Sequence, residues 1–567
     1  MSPNPMSPRL LLAALAATAP SLLAYNVSPS PTFLNQALAV ALWGWFVVGS
    51  APASGGAGRG VAALHLALAL VLAGVCWSWG PGSLPTGLAL SAIGLLAAAG
   101  VMAAAGAAAH ARGDTASVFA DVCTGLAVAG ALNVGIAVIQ VFAPELTDGD
   151  WIATSGLPGR AVGNFRQPNH LSSLLLWSAI AVVALVELER LGRRAGALLF
   201  AALVFAVVLT ASRTGLVGVV LLALWALADR RLARPTRLLL LAAPVLYALA
   251  WFGMAEWARL SQHTFGGAAR LAAGDISSSR FGIWQNTLAL IAHQPWAGVG
   301  FGEFNLAWTL TPFPGRPVAF FDHTHNLPLQ LFVELGLPLG TGVMAALLTS
   351  LWLAARLALR AEGSVGVARR AAVVMVLMIG LHSLLEYPLW YAYFLLPAGW
   401  LLGYAAGSAT LPRVPGASRV LVSGGVALVV GAVLAVLDYL PVTSIYNASA
   451  GAAPLEMRIA RGQRSVLFAH QADYAAATTE AGGGGLAPFD TATHFLLDTR
   501  LMLAWAKALA AHGEIDEARW VAARLRKFRN PGSDDFFAPC KDAPEPAKLP
   551  FQCETPQRLR DWRDLVR

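Results

Sequence analysis

Charge is what this sequence has least of. Only 12% of its 567 residues are Asp, Glu, Lys or Arg, against about 25% in an ordinary soluble domain. Hydrophobic residues make up 57%, and the mean hydropathy is +0.61. A soluble cytosolic enzyme is therefore excluded, and the composition is that of a polytopic membrane protein. Cysteine is scarce as well: four in the whole chain leave no room for a disulfide-built scaffold. Lysine is absent until Lys507, and the remaining three (Lys527, Lys541, Lys548) follow it, so every earlier basic residue is arginine. Two compositions share one chain.

Long apolar runs are what it has instead. They fall near 9–25, 33–49, 61–80, 84–109, 116–143, 169–188, 195–211, 214–228, 238–254, 327–355, 371–384, 389–407 and 420–441. A helix needs about 20 apolar residues to cross a bilayer, so the reading is about 13 transmembrane helices in an all-α protein. The first run has the basic flank and small-residue exit, Ala16–Ala19, of a secretory signal, but is read as a span.

A net charge of +8 would elsewhere suggest a nucleic-acid partner; here the arginines are sorted by membrane side, and none is expected. With the N-terminus in the cytoplasm, Arg9, Arg59, Arg112, Arg190, Arg193, Arg194, Arg230, Arg231, Arg234, Arg237, Arg356, Arg360, Arg369, Arg370, Arg413 and Arg419 fall inside. Only Arg160, Arg166, Arg213, Arg259, Arg270, Arg280 and Arg316 of the membrane part fall outside. The expected domains are a transmembrane part, 1–441, carrying a large outer loop at 255–326, and a small helical domain outside the cytoplasm, 442–567. Within the latter, Cys540 and Cys553 are a disulfide candidate suited to an oxidising compartment. Thr493–Ala511 and Glu514–Phe528 carry helical periodicity around His512-Gly513, like one tetratricopeptide hairpin, and Gly482–Gly485 is a break.

Polar groups gather in four outer places. In GLPGRAVGNFRQPNHLSSLLL, Arg160, Asn164, Arg166, Gln167, Asn169 and His170 lead into an apolar helix whose mouth is fixed by Pro168. Asn169 is a candidate cap there, and the free N–H groups of the first turn would favour an anion; a plain polar loop is the alternative. In TASRTG, Arg213 sits at a helix–helix corner against the charge trend, either snorkelling to lipid phosphate or binding a substrate anion. In the long loop, Ser277-Ser278-Ser279-Arg280 precedes an amphipathic helix, Phe281–Ala292, followed by a Gly- and Pro-rich return. Last comes Asp322-His323-Thr324-His325-Asn326. In an extended strand His323 and His325 would share a face, suggesting a metal site or a base with a positioning partner.

The segments GNFRQPNHLSSLLL, TASRTG, SSRFGIWQNTLALIAHQPWAGVGFGEF, DHTHNLPLQLFVELGLPLG and HSLLEYPLWYAYFLLPAGWLLG together resemble the bacterial protein O-oligosaccharyltransferases, within the O-antigen ligase and polymerase superfamily. The resemblance implies transfer of a preassembled glycan from an undecaprenyl-diphosphate carrier to Ser or Thr of a pilin or periplasmic protein. The enzyme would sit in the inner membrane, multi-pass, with its active site facing the periplasm and no cofactor or metal. It implies His325 as general base, Asn326 as its orienting partner and His323 as a lesser candidate.

Chemistry agrees with that implication. No ATP is expected outside the inner membrane, so a donor there must arrive activated, and a lipid diphosphate is a good leaving group. Charge developing on it calls for fixed cations, and arginine pairs phosphate bidentately while staying charged. Arg213 and Arg280 are the first choices and Arg166 the third. A hydroxyl acceptor needs a base, and imidazole titrates in the right range. Attack opposite the leaving diphosphate inverts the anomeric centre, whereas retention would ask for a close carboxylate pair, which the sequence does not reveal. Glu386 and Tyr387, with Gln167, Asn169, His170 and His323, are expected to line the donor or acceptor groove; interfacial anchoring is the alternative for the aromatic residues around them. Two other functions remain open from the sequence: an O-antigen ligase or polymerase using the same donor, and a transporter or flippase, against which stands the near absence of Asp and Glu from the spans.

Overall fold

The computed structural model describes residues 7–51, 58–111, 114–272, 279–408, 416–540 and 549–566. Arg112, Ser277, Ser278, Arg413, Lys541 and Lys548, and the side chain of Arg270, lie outside the described residues. The protein is all-α, with no strand among the described residues.

The chain runs through α1 (Pro8–Leu22), α2 (Phe33–Ser50), α3 (Arg59–Trp79), α4 (Thr86–Ala108), α5 (Thr115–Phe142), α6 (Pro168–Glu187), α7 (Arg193–Leu209), α8 (Arg213–Ala228) and α9 (Arg234–Ser261). The shorter α10 (Gly266–Ala272), α11 (Arg280–His293) and α12 (Phe304–Leu310) follow, then α13 (Leu327–Arg360), α14 (Gly363–Ser383), α15 (Ala392–Ala406) and α16 (Ala417–Tyr446). The C-terminal segment adds α17 (Leu455–Gly462), α18 (Ala469–Thr478), α19 (Phe489–Phe495), α20 (Thr499–Ala511), α21 (Ile515–Lys527) and α22 (Asp534–Phe537).

Each apolar run of the sequence falls on one helix. Among the described residues nine of these (α2–α6, α9, α13, α14 and α16) are long and apolar enough to cross a bilayer; α1, α8 and α15 are apolar but shorter, and α7 has 17 residues. This is a multi-pass membrane protein; among the described residues helix length and composition alone qualify nine spans, which does not establish the thirteen expected.

The chain forms two compact units. The first comprises Met1–Leu68, Leu95–Ile276 and Ala345–Leu434; the second comprises Ala69–Gly94, Ser277–Met344 and Ala435–Arg567. The two units are thus interleaved in sequence, and the described residues 279–344 belong to one unit with the C-terminal segment.

In the first unit, small residues let backbones approach. A Cβ added at Gly403 of α15 would lie 2.1 Å from the Ala103 carbonyl of α4, and one at Gly106 2.1 Å from that of Trp400, the close packing that apolar helices use in place of a hydrophobic driving force. Charge collects at one end of this unit. Arg9 bridges Asp114 and Asp121 at 2.5 Å each, and Arg370 pairs with buried Asp229 at 2.7 Å. At the opposite end, about 30 Å away along the 20 residues of α6, the polar loops converge. Gln140 of α5 accepts the Val162 and Gly163 N–H groups at 2.9 and 2.8 Å. Asn164 donates to the Leu22 and Trp151 carbonyls at 2.6 and 3.0 Å, which folds the segment before α6 onto the ends of α1 and α5.

In the second unit, α20 and α21 form the expected helical hairpin. The helix expected from Thr493 onward is broken: α19 ends at Phe495 and Asp498 caps a new helix by accepting the Leu501 N–H at 2.8 Å. Cys540 and Cys553 are joined by a disulfide with Cα atoms 5.2 Å apart.

Candidate active site

In the first unit the site is built at the mouth of α6. Pro168 takes the first helical position, where its missing N–H costs nothing. The cap is Gln167, not the expected Asn169: its Oε1 accepts the N–H groups of both Asn169 and His170. Those are the donors expected to meet an anion, so the protein's own side chain occupies that position. Freed from capping, Asn169 donates to Glu386 at 2.9 Å and accepts from Ser212 at 2.6 Å. Ser212 in turn caps α8 by accepting the Gly215 N–H at 3.0 Å, and Ser172 Oγ lies 3.1 Å from it.

That chain of bonds fixes Arg213, the first residue of α8, in a turn where Ala211 is left-handed at φ +49°. Asn169 therefore ties together the ends of α6, α7, α8 and α14. Beneath it lies an aromatic and histidine layer. His170 Nδ1 is 3.1 Å from the Tyr393 hydroxyl, its ring is edge-on to Tyr391 at 4.5 Å, and His382 Nδ1 is 2.7 Å from Ser173 Oγ. Tyr387 stacks on Tyr391 at 6.1 Å. Arg166, left-handed at φ +57°, donates to the Ala24 and Gly149 carbonyls at 2.7 and 3.2 Å and so holds loops together. Burial pulls its guanidinium below the usual value, with Asp150 opposing.

In the second unit the Asp322–Asn326 segment is not an extended strand. His325 is left-handed at φ +53°, so the alternation that would put His323 and His325 on one face does not apply. The segment ends by capping α13: Asn326 Oδ1 accepts the Leu329 N–H at 3.1 Å, which closes the turn that follows His325. Thr324 is buried, with its N–H on Gln330 Oε1 at 2.8 Å and its carbonyl receiving the Trp284 indole N–H of α11 at 3.0 Å. Phe321 meets the His325 ring edge-on at 5.7 Å.

His323 Nδ1 lies 3.2 Å from Asp322. Burial works upward on the Asp322 carboxyl, but His323 and His325 outweigh it and hold it down to about 2, ionised at any working pH. Arg280 opens α11 after left-handed Ser279, as the motif suggested.

Sequence reasoning missed the supports of this segment. Gln330 donates to Glu334 at 2.9 Å one helical turn on, and Asn305 donates to the Phe321 carbonyl at 2.8 Å while accepting the Leu497 N–H at 2.8 Å. The signal for the first pair was present: two polar residues four apart in the apolar run LPLQLFVELG. Asn305 carries no such signal, because its partners are distant in sequence.

Three segments match family models: 161–186 a protein glycosylation ligase, 198–344 an O-antigen ligase, and 370–532 the C-terminal part of a virulence-factor membrane-bound polymerase. Similar proteins include the general O-oligosaccharyltransferase of Acinetobacter baylyi, 32% identical over 257 residues, which is 43% of each chain. The ComP-specific O-oligosaccharyltransferase of the same organism is 29% identical over 283 residues, 48% of this chain and 47% of that one. The matched stretches thus span just under half the length of these relatives. They bear out the resemblance to O-oligosaccharyltransferases and O-antigen ligases that the motifs carry.

Proposed function

We propose that this chain is a glycosyltransferase that moves a preassembled glycan from an undecaprenyl-diphosphate carrier to Ser or Thr hydroxyls of pilins or other periplasmic proteins. It works in the bacterial inner membrane with its site facing the periplasm. One observation carries the reading: the stretch similar to protein glycosylation ligases, 161–186, supplies Gln167, Asn169 and Ser172, the residues that fix the turn of Arg213.

The acceptor oxygen attacks C1 of the first sugar while His325 takes its proton. The C1–O bond to the diphosphate breaks on the opposite face, and undecaprenyl diphosphate leaves with the electron pair. The glycan is then bonded to the acceptor with its anomeric configuration inverted, and imidazolium returns its proton to water. Charge building on the diphosphate oxygens is met by arginine, with Arg213 the donor assigned in the first unit and Arg280 the one assigned in the second, a contribution of about 3–4 kcal/mol per well-placed donor in comparable sites. Asn326 and Gln330 support the His325 turn, and Glu386 holds Asn169. His170 and Tyr387, in the first unit, and His323, in the second, are each assigned by this reading to contacts with lipid or acceptor.

The matches to an O-antigen ligase and to a polymerase favour a second reading, the same donor chemistry with a lipid or glycan acceptor. The two are separated by reconstituting the purified chain in vesicles with a lipid-linked glycan and offering a pilin or a lipopolysaccharide core in turn. Protein glycosylation predicts a whole-glycan mass increase on a Ser or Thr peptide. Transfer to the core alone would overturn it.

A further inference from the structure

Within the second unit α13 changes character at Gly336, whose backbone leaves the helix at φ 75°, ψ 168°. Residues 337–360 form about 36 Å of helix at 1.5 Å per residue, enough alone to cross a hydrocarbon core of about 30 Å. The turn before the kink holds the hydrogen-bonded pair Gln330 and Glu334, and the stretch without charge, 337–355, begins just beyond it. A broken helix at such a depth needs its backbone groups satisfied by protein. The segment 295–300 does this: the Leu337 N–H donates to the Pro295 carbonyl at 2.7 Å, and the Val299 and Gly300 N–H groups donate to the Val333 and Glu334 carbonyls at 2.8 and 3.1 Å. Trp296 is thereby held at the depth of the kink, and it is 79% exposed, beside Leu337 at 42%.

The helix leading to it, α11, is two-faced. Ile283, Asn286, Thr287, Leu290 and Ile291 are buried in the unit. The outward stripe at spacing 281, 285, 288, 292 instead shows Phe281, 69% exposed, Leu288, 57% exposed, and Ala292, with Gln285 its one polar member. An outward apolar stripe joined to an exposed tryptophan at a bilayer boundary is the pattern of a helix lying in a membrane interface.

We propose that α11 and Trp296 form a lipid-docking surface. The helix lies along the interface at the end of α13 that carries the His325 turn, with Phe281, Leu288 and Trp296 inserted among phospholipid headgroups and upper acyl chains. The occupant is bilayer lipid because the surface is continuous, through the bond from Leu337 to Pro295, with a helix that crosses the bilayer. The inference requires only that the chain spans a membrane and stands apart from the catalytic reading.

The test uses the full chain with Cys76 and Cys123 replaced by Ser and the Cys540–Cys553 disulfide kept. Single cysteines at 281, 288 and 296 carry spin labels in phosphatidylcholine–phosphatidylglycerol nanodiscs, with a label at exposed Leu559 as the aqueous reference. Collision rates with oxygen and with a polar nickel chelate give the depth. The expected result is an oxygen-to-nickel ratio several-fold above that at 559 for all three positions. A ratio equal to the reference, or a label shut off from both collision partners as a protein occupant would make it, overturns the proposal. Labelled chains are checked by melting and size-exclusion elution; should position 296 disturb the fold, 281 and 288 decide.

Discussion

Asn169 does more than its motif suggested. Because Gln167 caps α6, the Asn169 side chain is free to join Glu386 to Ser212, and Arg213 inherits its position from that join. Replacing Arg213 with Ala is expected to lower transfer about 10²–10³-fold, as loss of a preorganised donor to a developing anion does. Lys recovers only part of the loss, since it cannot form the bidentate pair. Initial rates at saturating donor check both. In the second unit, His470 is buried against Phe495 at 4.4 Å with no hydrogen-bond partner for Nδ1, and burial pulls its pKa from 6.5 down to about 3. The folded state therefore binds the proton less readily than the unfolded chain. The stability this contributes is full above about pH 6.5 and falls as pH drops toward 3. A His470→Gln chain should lose less melting temperature than wild type between pH 7 and 5; equal losses would remove His470 as the cause. The polar residues of the site were legible because Asn, Gln, His and Arg stand out in an apolar chain. Their roles were not, since capping by Gln167 and the left-handed turn at His325 depend on backbone angles that residue spacing does not carry.

Helices were the most legible level, each apolar run becoming one element. Their interruptions were less so. The run at 327–355 reads as one span, yet Gly336 breaks α13 where Pro295–Gly300 clips onto it. Only glycine suits the place: its φ of +75° is left-handed, and an added Cβ would fall 2.3 Å from the Trp296 carbonyl. Gly336→Ala should therefore lower the melting temperature of the purified protein and transfer activity together, whereas Gly380→Ala, in open space on α14, should change neither. An unchanged Gly336→Ala chain would mean that the kink is not held by this contact. The hairpin of α20 and α21 was visible as periodicity around His512-Gly513. The end of α19 was hidden inside the same apolar pattern, because the cap at Asp498 is a single local bond.

At the scale of the whole molecule, the interleaving of two units could not be read, because it arises from packing between residues distant in sequence, such as Glu303 with His494, 191 positions on, at 2.8 Å. The sequence sorts its arginines along the chain, and the first unit keeps the Arg9 pairs with Asp114 and Asp121 and the Arg370–Asp229 pair at one end and the Asn169 network at the other. A membrane-impermeant maleimide applied to intact spheroplasts should label a single cysteine at 155 and leave one at 193 untouched, in a chain whose Cys76 and Cys123 are Ser; the reverse pattern would invert the topology. The catalytic claim itself is tested most directly by single-turnover transfer in vesicles with the His325→Ala chain, at equal insertion and melting temperature. The account predicts a rate lower by about 10²–10⁴-fold, the ordinary contribution of a general base. A rate within a few-fold of wild type would show that His325 does not take the acceptor's proton.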